Sequence, residues 1–183
     1  MKIQEFDRKL AKILKPHVKD RIYAHKTDDG QYISNGHIIA RIDDCPKVKA
    51  LLIEQGLPLE GTYVTHLGYV EEGRDGWTDE FNRMLTLQEG EKATYTEVML
   101  NGYTNLAIYK TEQDLQVFDA EYHGLIESKY GDTAYIREGN LLFHQSVNGA
   151  LIKIWVMRHR FIREVATKIG DVITKFAETK IED

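Results

Sequence analysis

Between residues 115 and 157 the spacing of apolar residues changes from two to three-or-four and back to two. That change dictates a strand, then a helix, then three more strands. Leu115 and Val117 alternate with Gln116. Asp119 is placed to accept from the free amides of a helix start. Tyr122, Leu125, Ile126 and Tyr130 then fall on one helical face, and Gly131 suits the stop. Residues 133–137 alternate again, and Glu138, Gly139 and Asn140 make a turn. Residues 141–147 predict a further strand. Asn148 and Gly149 follow as a two-residue hairpin turn, because both tolerate positive φ. Residues 150–157 close the unit. One helix laid on a three-stranded meander is only half of a small domain and requires a second half.

The N-terminal segment supplies a matching pattern. Ile3, Phe6, Leu10, Ile13 and Leu14 line one side of a helix over 3–15, and Pro16 ends it. Residues 22–26, 31–33 and 38–42 read as short strands. Asp28-Asp29-Gly30 and Ser34-Asn35-Gly36 supply the turns between them. A helix followed by a meander thus occurs twice, as a repeat of architecture rather than of residues.

Residues 44–111 lie between the copies as an insertion. They predict a helix from Pro46 to Gln55, a strand over 63–70, and an exposed loop over 71–76. Thr78 is a cap for a short helix through Leu85. Residues 92–100 and 103–110 alternate around Asn101-Gly102, a hairpin that either extends the sheet or stands as an arm. After Met157 an amphipathic helix is expected over 159–180, with Phe161, Val165, Ile169, Val172, Ile173 and Phe176 as its stripe. The stripe reads as core for the same chain, with a dimer contact as the alternative. The whole of 1–183 is expected to form a single α+β domain with antiparallel sheet in two halves.

Chemistry is sparse. The glycines from Gly68 to Gly73 lack the lysine and hydroxyl of a phosphate loop, and Glu71 and Glu72 would repel an anion. No serine sits in a nucleophile elbow. Cys45 stands ahead of the Pro46 helix, where amide dipoles favour a thiolate, but a small residue at a helix start is the simpler reading. The seven histidines show no ligand spacing, so no metal, cofactor or catalytic residue is assigned. One cysteine excludes an internal disulfide. With no signal peptide or membrane-length apolar run, it points to a cytoplasmic protein. A net charge of −5 argues against a chain coated in nucleic acid and leaves room for a local basic face. Arg8, Lys9, Lys12, Lys15 and Lys19 form such a face on the first helix, diluted by Asp7 and Asp20. Phosphate backbones are held by such faces through counterion release, though any surface helix also carries charge.

Three segments together resemble a domain of the DNA sliding clamp, the polymerase processivity factor. They are Met1-Lys2-Ile3 with its helix to Leu14, then 22–42 with its Asp29-Gly30 and Ser34-Asn35-Gly36-His37 turns, then 115–157. The resemblance implies a clamp-like domain of two strand-helix-meander halves with antiparallel sheets. It also implies helices facing a DNA channel, assembly of several copies, and docking of a polymerase or other replication protein. Carried onto this sequence, it offers Arg8, Lys12 and Lys15 to the channel; with Lys19 from the basic face, these are the residues expected to contact duplex DNA. The function it implies is a non-enzymatic processivity factor, possible in a phage-related setting. A protein-binding adaptor without DNA contact is the second expectation, motivated by Glu121 and Glu127 on the second helix and by Trp77. An enzyme with a site over 66–80, using His66 and Asp79, is the third.

Overall fold

The computed structural model describes residues 3–28, 30–73, 79, 90–100, 105–112, 115–125, 133–137, 141–146 and 152–157. The first helix, α1 (Ile3–Leu14), buries Phe6, Leu10, Ile13 and Leu14 and runs into a 3-10 turn over Lys15–His17 that carries Pro16. Strands β1 (Tyr23–Thr27), β2 (Gly30–Ser34) and β3 (Ile38–Arg41) follow as an antiparallel meander. Helix α2 (Pro46–Glu54) packs beside α1 and is followed by Gln55 and Gly56, the latter at φ 73°. Next come β4 (Thr62–His66) and β5 (Tyr69–Glu72), then β6 (Glu91–Leu100), β7 (Leu106–Lys110) and β8 (Leu115–Asp119). A short helix, α3 (Ala120–His123), precedes β9 (Thr133–Arg137), β10 (Leu141–Ser146) and β11 (Ile152–Met157).

Among the described residues eleven strands follow one another in the order β5-β4-β1-β2-β3-β11-β10-β9-β6-β7-β8, every neighbouring pair antiparallel. At the centre of this order is a seam in which the last strand of one meander pairs with the last strand of the other. There Ile38, Ile39 and Ala40 stand opposite Val156, Trp155 and Ile154. The arrangement reads β1-β2-β3 outward on one side and β11-β10-β9 on the other, each meander preceded by a helix.

Side-chain alternation decides which face is covered. Ala24, Ile33 and Ala40 stand in one cross-strand row, and Ile22, Ile38 and Ile42 share their face. They pack with Phe6, Leu10 and Leu14 of α1 and with Val48 and Leu52 of α2. The same cluster takes in Ala107, Tyr109, Phe118, Tyr122 and Leu125, so one core passes under both halves. Each such large apolar side chain contributes about 1.5–3 kcal/mol when withdrawn from water.

Several boundaries differ from the sequence expectation. The single strand over 63–70 is a hairpin, turning at Leu67 and Gly68 with φ of 49° and 85°. Glu71 and Glu72, expected in a loop, belong to β5. The 92–110 hairpin extends the sheet, pairing through β6 with β9 rather than standing free. The helix expected after Thr78 beyond Asp79, the turns at 101–102, 138–140 and 148–149, the helix past Leu125 and the helix over 159–180 lie outside the described residues.

Candidate nucleic-acid interface

Helix α1 places Arg8 and Lys12 at i and i+4 on one strip, and Lys15 at i+7 continues it as the first residue of the 3-10 turn. All three are exposed, as is Lys19 just past the 3-10 turn. The strip lies opposite the buried side of Phe6, Leu10, Ile13 and Leu14, so the core fixes which way the cations face. Successive cations along the strip are separated by about 4.5–6 Å of helix rise. Lys12 and Lys15 also lie at the C-terminal end of α1, where the negative end of the helix dipole favours positive charge.

Two of the surrounding residues behave differently from their sequence reading. Asp7 does not dilute the strip. It is 2% exposed and turned inward, where its two carboxylate oxygens accept from the backbone amides of Lys47 (2.9 Å) and Val48 (3.0 Å). A carboxylate from α1 thereby caps the first turn of α2, whose own preceding residue, Cys45, makes no side-chain cap. Lys9 leaves the strip for a second task. Its Nζ lies 3.1 Å from Glu5 Oε1 and donates at 3.1 Å to the carbonyl of Gly124, at the end of α3. Lys9 holds the Glu5 carboxyl below its ordinary range by a hydrogen bond and by its charge. Asp20 sits at the foot of the strip, where it accepts from the Leu67 amide at 3.3 Å and lies 3.4 Å from His66 Nδ1.

Helical periodicity put Arg8 and Lys12 on the exposed side; Lys15 and Lys19, exposed too, lie in and past the 3-10 turn. It missed the inward turn of Asp7 because that depends on α2 arriving beside α1. The surviving signal was small: an acid at position 7 stands between Phe6 and Leu10, on the apolar side of the wheel.

A polar cluster joins α3 to the sheet beneath. The Asp119 side chain accepts from Glu121 N at 2.9 Å, the cap expected from the sequence. His123 Nδ1 lies 2.7 Å from the Tyr109 hydroxyl, and its ring lies 4.1 Å from that of Tyr95. Burial lowers the His123 pKa, with the charge of Lys9 acting in the same direction, while burial raises that of Tyr109. Asn35, 1% exposed in the β2–β3 turn, donates to the Tyr122 hydroxyl at 3.1 Å and ties the first meander to α3.

The remaining sequence candidates are not brought together as a reactive centre. Cys45 is buried, and desolvation first, then the charge of Asp7, pushes its thiol up to about 12, the reverse of an activated thiolate. Among the described residues no group of three histidine, cysteine or carboxylate side chains is placed to hold a metal ion. No helix among them is long and apolar enough to cross a membrane.

No protein-family model matches the sequence, and no curated protein matches it. Among solved structures, the chain is similar to a DnaN sliding clamp, the DNA polymerase III subunit beta, from Bartonella birtlesii bound to griselimycin. There the TM-score is 0.39 at 13% identity, covering 84% of this chain and 64% of that one. It is also similar to the DNA polymerase III subunit beta from Borrelia burgdorferi in complex with a natural product. In that case the TM-score is 0.37 at 11% identity, covering 85% of this chain and 63% of that one. The chain thus spans less than two thirds of the length of either.

Proposed function

We propose that this chain is a non-enzymatic, clamp-like protein of DNA replication or repair that contacts duplex DNA through α1. The observation that carries the reading is the strip of Arg8, Lys12, Lys15 and Lys19, all exposed, from which the inward turn of Asp7 removes one acid. Two helix-then-meander halves joined through β3 and β11 support the clamp-like part, since twin halves are what the sequence resemblance implies. A cationic strip without an aromatic stacking platform or a groove-reading helix end binds phosphates, not bases. The contact is therefore indifferent to sequence, as a protein that moves along DNA requires. Several copies surrounding the duplex, and docking of a polymerase or other replication protein, belong to the same proposal.

The test is a titration against fluorescent duplex DNA from low to moderate salt. With three to four phosphates neutralised, the logarithm of the binding constant should fall with the logarithm of salt at a slope of about −3 to −4. Lys12→Glu with Lys15→Glu should weaken binding more than tenfold and flatten the slope, whereas Lys12→Arg with Lys15→Arg should bind like the parent. Absence of binding at low salt, or indifference to the double reversal, would overturn the proposal. The second reading, a protein-binding adaptor of the same architecture, is favoured by Glu121, the exposed acid on α3. It requires a partner complex that survives high salt.

A further inference from the structure

Strand β5 is the end of the sheet. It pairs with β4 on one side, and among the described residues no strand lies on the other. All four of its residues are exposed, Tyr69 to 73%, and the adjoining turn residue Leu67 to 72%. The ladder defines which backbone groups are open. Gly73 N donates to Thr62 O, which marks the 62/73 pair as hydrogen-bonded. By alternation the 64/71 and 66/69 pairs are hydrogen-bonded too. The residues between them, Val70 and Glu72, direct their N–H and C=O outward. The partner strand obeys the same rule: Thr65, opposite Val70, spends its outward groups on Ile22 O and Arg21 N. Among the described residues no backbone hydrogen bond reaches Val70 or Glu72 from outside the hairpin.

We propose that this edge accepts an extended, basic segment of a partner protein as an added antiparallel strand. The choice of occupant follows from charge and pleat. Tyr69 and Glu71 point to one face of the sheet, Val70 and Glu72 to the other, so each face offers one apolar side chain and one carboxylate. An added strand with two adjacent lysines or arginines followed by two apolar residues sets one cation against each glutamate. It also sets one apolar side chain against Tyr69 and one against Val70. Cross-strand pairs of opposite charge stabilise such an addition, and like pairs oppose it. A second copy of β5 would bring the four glutamates of two edges together, so self-pairing is disfavoured, in the way that charged edges usually protect a sheet. The test of this edge stands or falls independently of the cationic strip of α1.

The experiment is fluorescence anisotropy with a labelled synthetic peptide of sequence Ala-Lys-Lys-Ile-Val-Ala, and a control in which both lysines are glutamates. Saturable binding of the first and none of the second are expected. Glu71→Lys with Glu72→Lys, at exposed positions that leave folding intact, should weaken the peptide at least tenfold. Val70→Pro removes an outward donor that the hairpin itself does not use, and should weaken it by a similar factor with an unchanged circular dichroism spectrum. No saturable binding, or equal binding by the Val70→Pro protein, would overturn the proposal. So would a concentration-dependent dimer in light scattering that Val70→Pro abolishes, because a second copy would then be the occupant.

Discussion

Asp7 is the side chain whose replacement separates charge from architecture. Its carboxylate accepts two amides at the start of α2 from a site closed to water. Removing it leaves the buried Val48 donor unmatched, at about 1–3 kcal/mol, and takes the cap from the part-buried Lys47 donor as well. Asp7→Ala should therefore lower the unfolding free energy by about 2–4 kcal/mol, with Asp7→Asn between it and the parent, read from urea denaturation. His123 carries the acid sensitivity. Its pKa in the folded chain is lowered from 6.5, by burial first and then by Lys9. The unfolded chain therefore binds the proton more readily, and the stability this residue contributes is complete above pH 6.5 and lost as pH falls through the lower folded value. The unfolding free energy measured at pH 7 and again near pH 5.5 should drop, and His123→Gln should remove part of that drop. An imidazole resonance titrating at or above 6.5 would contradict the assignment.

At the scale of elements, the hairpins show what a sequence exposes and what it hides. Helix α1 was legible because five apolar side chains repeat at helical spacing and Pro16 marks the end. The meander of β1 to β3 was legible because its turns carry Gly30 and Asn35-Gly36. The β4–β5 hairpin was hidden because Leu67 occupies a positive-φ position that a leucine seldom takes, so Gly68 alone marked the turn. Local strain there is offset by contacts that only the folded chain supplies: Gly68 N donates to Lys19 O, and Asp20 accepts from Leu67 N. Leu67→Asn, which suits the same backbone and restores an Asn-Gly turn, should raise stability by about 0.5–1 kcal/mol, measured as a shift of the urea midpoint. The cap on α3 was legible too, since Asp119 stands just before the helical spacing begins. Asp119→Ala should cost about 1 kcal/mol in the same assay.

Over the molecule as a whole, the core residues under both halves form one cluster, and the Asn35–Tyr122 hydrogen bond joins them again at the surface of the sheet. Such continuity predicts one cooperative transition, in which near- and far-ultraviolet circular dichroism change at the same urea concentration. Two separated transitions would show that the halves are independent. How the halves assemble was readable only as a repeated order of helix and meander. Which strand meets which depends on pairings between distant parts of the chain, and apolar alternation carries no record of a partner's identity. The β3–β11 seam is the clearest instance. Its partners lie more than about a hundred positions apart, so bringing them together costs roughly 2 kcal/mol more chain entropy than closing a ten-residue hairpin. Each meander can zip locally long before the seam closes. The refolding rate of this chain is therefore set by a late encounter between two preformed ribbons. Substitutions in the seam should slow refolding far more than equal losses of stability placed in the outer hairpins.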